Sequence, residues 1–87
     1  MMYTIKYTKQ AVKDIELIRR ANLTDKVRRL VEIVKENPFQ NPPPYEKLVG
    51  DLDGLYSRRI NLQHRFVYEV LPEENAVKII RLWKHYE

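Results

Sequence analysis

Cysteine is absent from this 87-residue chain, which excludes disulfides, thiolate metal sites and sulfur nucleophiles together. Glycine is almost as scarce. With only Gly50 and Gly54 present, no glycine-rich loop can cradle a nucleoside triphosphate. The two histidines are His64 and His85, and the acids are scattered, so neither a zinc site nor a two-metal carboxylate cluster can be assembled. The expectation is a protein with no metal and no cofactor. Ser57 has no base or orienting acid at a recognisable spacing, which argues against serine nucleophile chemistry. No apolar run approaches the roughly 20 residues of a membrane helix. The opening Met1-Met2-Tyr3-Thr4-Ile5-Lys6 lacks a signal-peptide core. A cytoplasmic protein with no membrane partner is therefore expected.

What is present is cationic. Lys and Arg number 16 against 12 Asp and Glu, a net charge of +4, which favours polyanionic partners only mildly. The distribution says more, because Tyr56 to Arg65 holds Arg58, Arg59 and Arg65 and no acid. The length fits one domain, residues 1–87, whose thin core buries about 60–65% of the unfolded surface.

Tyr3-Thr4-Ile5-Lys6-Tyr7 alternates like a half-buried strand. Thr8 offers a capping hydroxyl, and Ala11, Ile15 and Ile18 recur at helical spacing, predicting a helix over 9–20. Asn22 and Thr24 are cap candidates for a second helix carrying Val27, Leu30, Val31 and Val34 on one stripe. Asn37 before Pro38 ends it, and the short link makes the pair an antiparallel hairpin. Pro38 to Tyr45, with four prolines, reads as a stiff extended spacer that delivers Tyr45-Glu46-Lys47-Leu48 to a fixed place. After the turn Asp51-Leu52-Asp53-Gly54, strands are expected over 55–61, 64–70 and 76–83. The fold class is α+β: two N-terminal antiparallel helices packed on one face of a largely antiparallel sheet, in the order β-α-α-β-β-β-β.

Strand alternation turns Phe66, Tyr68 and Val70 toward the helices and Arg65 away. It sends Ile80 and Leu82 inward and Arg81, Trp83 and His85 outward. Tyr56, Arg58 and Ile60 point in, and Ser57 and Arg59 point out. The uncovered face then collects Arg59, Arg65, Arg81, Trp83 and His85, provided the register does not slip by one residue. The alternative is an ordinary polar sheet face whose arginines pair with acids such as Glu69. His64, on the core side, reads as a hydrogen-bonded structural histidine, and Arg58 as a structural cation near the sheet edge. Trp83 either caps the sheet or stacks on a nucleobase.

Metal-free phosphodiester chemistry on RNA suits such a surface, because the substrate carries its own nucleophile, the 2′-hydroxyl. The protein needs a base for that proton, cations for the charge at phosphorus and an acid for the departing 5′-oxygen. Glu46 can be the base, Arg65 with Arg59 can hold the phosphate, and His85 can be the acid.

Asn37-Pro38-Phe39, Tyr45-Glu46-Lys47-Leu48, Gly54-Leu55-Tyr56-Ser57-Arg58-Arg59-Ile60, His64-Arg65-Phe66-Val67-Tyr68 and the closing His85-Tyr86 together resemble the YoeB/Txe family of toxins in the RelE superfamily. The resemblance implies a ribosome-dependent mRNA endonuclease of a type II toxin–antitoxin system, acting on messenger in the ribosomal A site. It also implies a YefM/Axe-type antitoxin partner and homodimer formation. Carried onto matching positions, it makes Glu46 the general base, Arg65 the phosphate-stabilising arginine and His85 the general acid. Tyr86 positions the nucleotide and Arg59 supports RNA binding. Lys47, Arg81 and Trp83 complete the expected RNA contacts. Some members carry a lysine two residues before the turn aspartate, where this chain has Val49, and Glu87 extends the usual ending. Two rival readings are a non-enzymatic inhibitor on the same fold, of the topoisomerase-poisoning ParE kind, and a plain RNA- or ribosome-binding module.

Overall fold

The computed structural model describes residues 2–83. Strand β1 (Thr4–Tyr7) leads into helix α1 (Lys9–Arg20), helix α2 (Thr24–Glu36), the short strand β2 (Glu46–Lys47) and strands β3 (Leu55–Arg59), β4 (Arg65–Leu71) and β5 (Ala76–Arg81). The sheet runs β1-β5-β4-β3-β2. Among the described residues only the β1–β5 pairing is parallel. First and last strands are thus neighbours, and β2 is the opposite edge.

Helix α1 begins where expected. The Thr8 hydroxyl accepts from the Ala11 N–H at 3.0 Å and donates to the Ile80 carbonyl at 2.8 Å, fixing the helix start to β5. Thr8→Ala removes both bonds and should destabilise the fold by about 1–2 kcal/mol. A urea midpoint unchanged from wild type would contradict this account. The inward stripe of α1 is Ala11, Asp14 and Ile18, with a buried carboxylate in line. Ile15, expected in the core, is 41 % exposed because it stands off that stripe.

Helix α2 buries Val27, Leu30 and Val34 as the spacing predicts. Its cap differs from expectation. Leu23 occupies the cap position without a side-chain bond, Thr24 is already helical, and Asn22 takes the left-handed conformation of the interhelical turn. The proline segment also departs from the extended spacer, turning at Pro38-Phe39 and bending at Pro42-Pro43. The helices, Phe66, Tyr68, Val77, Ile79 and Leu82 form one core.

Alternation holds in β4 but not along β5. Val67 pairs with Arg81 and Tyr68 with Ile79, so Ile80 is an extra residue at a bulge. The bulge shifts the phase by one residue. Val77, Ile79 and Leu82 are therefore the core residues of this stretch, and Ile80 is not.

Candidate active site

Register brings together residues far apart in sequence. Glu46 pairs with Ser57, Ser57 with Val67, and Arg59 with Arg65. Paired residues share a face, so Glu46, Ser57, Arg59 and Arg65 stand on one side of the sheet. Lys47 pairs with Tyr56 and belongs to the other side. The face carrying Arg59 and Arg65 is the one predicted from alternation, since Tyr56 packs against the core instead.

These residues line a cleft of about 130 Å³ whose wall is Pro44, Tyr45, Glu46, Ser57, Arg59 and Arg65. Arg65 Nη1 donates to Glu46 Oε1 at 3.3 Å. The carboxylate is 67 % exposed and the arginine side chain only 21 %, so the acid is open to solvent while the cation is held in the wall. Arg65 therefore pairs with the acid at the end of the proline segment rather than with Glu69. Its Nε is buried and has no hydrogen-bond partner among the described residues. A buried donor left unpaired costs free energy, whereas the exposed end of the same guanidinium is free to meet an anion in the cleft. Two cations and one acid give the cleft a net positive charge.

Arg81 does not join them. Its backbone pairs with Val67 on the same face as Ser57, as alternation predicts, but its Nε donates to Asp14 Oδ2 on α1 at 3.0 Å instead of joining the cleft. Trp83 packs against the core and stacks on His64, with ring centroids 3.8 Å apart and planes at 20°. Neither lines the cleft. His64 is buried, as expected of a structural histidine. His85 and Tyr86, the expected acid and its neighbour, lie outside the described residues.

The sequence reading overlooked Asp14, which is fully buried. Its Oδ2 accepts from Arg81 Nε, from the Leu82 N–H at 2.9 Å and from the Trp83 N–H at 3.3 Å, and its Oδ1 accepts from Gln10. Burial alone would push this carboxyl up, but the bonds from the Leu82 backbone, Gln10 and Arg81 outweigh it and hold the group below the usual carboxylate range. The available signal was an acid on the apolar stripe, three residues from Ala11 and four from Ile18. Among the described residues, no three His, Asp or Glu side chains converge in a group that could hold a metal ion. No described helix is long and apolar enough to cross a membrane.

A family model described as "YoeB-like toxin of bacterial type II toxin-antitoxin system" matches residues 7–86. Toxin YoeB of Streptomyces coelicolor is 36% identical over 64 residues, 74% of each chain. A YoeB/ParE toxin from Agrobacterium tumefaciens superposes with a TM-score of 0.87 at 33% identity, covering 95% of this chain and 99% of the other. Staphylococcus aureus YoeB has been solved in a YoeB–YefM complex, with a TM-score of 0.81 and 32% identity over 99% of this chain and 100% of that one. It has also been solved as a YoeB dimer, with a TM-score of 0.82 and 31% identity over 99% and 100% of the two chains.

Proposed function

The chain belongs to the YoeB-like toxins of bacterial type II toxin–antitoxin systems, and from that premise we propose that it is a ribosome-dependent mRNA endonuclease that arrests translation in the cytoplasm. The observation that carries this reading is the convergence of Glu46, Arg59 and Arg65 on one cleft. Glu46 takes the proton of the 2′-hydroxyl as that oxygen attacks the adjacent phosphorus. Neutralising Glu46 frees Arg65, which with Arg59 faces the negative charge growing on the phosphorane oxygens. His85 gives a proton to the departing 5′-oxygen, and Tyr86 holds the nucleotide. The products are a 2′,3′-cyclic phosphate and a 5′-hydroxyl. Arg59 is the principal further RNA contact, and Lys47 adds charge at the neighbouring edge strand.

A net charge of +4 holds free RNA weakly in physiological salt. The ribosome then supplies the orientation that this small surface does not. A YefM-type antitoxin is the protein partner, on the strength of the solved YoeB–YefM complex, and self-association follows from the solved dimer.

Mapping message 5′ ends within minutes of induction should reveal new ends bearing 5′-hydroxyls inside translated codons, disappearing when translation is blocked beforehand. Intact transcripts accompanied by DNA damage would instead assign the chain to the topoisomerase-poisoning mode.

A further inference from the structure

Arg58 is only 1 % exposed, yet no carboxylate pairs with it among the described residues. A buried cation without an anion is costly unless every donor is well used. Here the donors go to backbone and hydroxyl. Nη1 donates to the Pro43 carbonyl at 2.6 Å, Nη2 to the Pro38 carbonyl at 3.0 Å and Nε to the Tyr68 hydroxyl at 3.2 Å. Tyr68 in turn donates to Pro38 at 2.7 Å. The guanidinium carbon lies 5.0 Å from the centre of the Tyr45 ring, within cation–π range. One side chain thus grips both ends of the segment from Pro38 to Pro43 and the ring of Tyr45.

The residue after Tyr45 is Glu46. Strand β2 is only two residues long, both exposed, and a strand so short cannot hold its own register. Resting on the reading of Glu46 as the base, we propose that Arg58 is its positioning residue, a buried clamp that sets where the carboxylate stands relative to Arg65 and the bound phosphate. Lysine cannot replace it, because one ammonium centre cannot span acceptors that the planar fork reaches in three directions. Burial pushes the Tyr68 hydroxyl up, against the opposing pull of Arg58. It therefore stays neutral and keeps both its accepting and its donating bond.

Arg58→Lys, assayed in the full chain well below its melting temperature on programmed ribosomes, should lower kcat about tenfold or more with KM within about threefold, because a displacement of this kind misplaces a reacting group without removing a binding contact. In a Glu46→Ala background the same change should have less than about a twofold effect. Hydrogen exchange at the amides of residues 45–47 should accelerate while that of β4 stays slow. Should Arg58→Lys fail to fold, Tyr68→Phe loosens the same clamp and is read in the same way. Wild-type kcat with unchanged exchange overturns the proposal, as does an equal loss of kcat in both backgrounds. If Glu46→Ala itself cleaves at the wild-type rate, the base assignment falls separately. The exchange rates at 45–47 then decide the clamp alone, with acceleration supporting it and no change rejecting it.

Discussion

Glu46→Ala is expected to cut the single-turnover rate of message cleavage by about 10²- to 10⁴-fold, the usual consequence of removing a positioned base. Arg65→Ala should lose a comparable factor, because its charge in the cleft wall is the means of stabilising the phosphorane. Neither change should unfold the chain. The Glu46–Arg65 pair is open to solvent on the carboxylate side, and such pairs are worth about 0–1 kcal/mol. The double variant should be little worse than the poorer single one, since the two residues act on one transition state. Glu46→Gln and Arg65→Lys refine the result. The amide keeps size but not basicity, and lysine keeps charge but not the fork, so both should remain strongly impaired. Rates near wild type in both alanine variants, with the fold intact, would remove the chemical basis of the proposal.

Much of this site was legible before any coordinates, and what was hidden has physical causes. The helix over 9–20 and the apolar stripe of α2 follow from period and capping, which are local. The outward pair Arg59 and Arg65 follows from alternation across a hairpin whose turn is closed locally, with Asn61 Oδ1 accepting from the Gln63 and His64 N–H groups. Ile80 was misplaced because a bulge depends on tertiary contact, and Arg81 is drawn away from the cleft by Asp14, 67 positions away. The carbonyl of the extra residue, Ile80, is taken by the Thr8 hydroxyl, a partner 72 positions away. Period-2 reasoning has no access to such a bond. The path of the proline segment was similarly hidden. Proline fixes φ and removes a donor, but the route here is set by carbonyls that Arg58 draws inward. That Arg58 points in was readable, whereas what it holds was not.

Asp14→Ala should produce the largest loss of stability among the single changes considered, about 3 kcal/mol, at the low end for a broken buried pair because the Arg81 side chain is 29 % exposed and water can partly replace its partner. The loss is not of one contact. It strands the buried Leu82 N–H together with the guanidinium, and it frees the end of β5 from α1. The sign of the pH dependence follows from the lowered carboxyl. Its folded-state pKa lies below the unfolded value of about 3.9, so its contribution is fully present above the unfolded value and is lost as pH falls through the folded one. Asp14→Asn keeps the shape and one acceptor but cannot titrate. The gap in urea stability between wild type and Asp14→Asn should therefore be constant from neutral pH down to about pH 5 and narrow below about pH 4, where the Asp14 carboxylate of the unfolded chain begins to take up its proton ahead of the folded one. A gap that stays level through the acid limb, or widens there, would mean that the charge on Asp14 does not bind the end of β5 to α1.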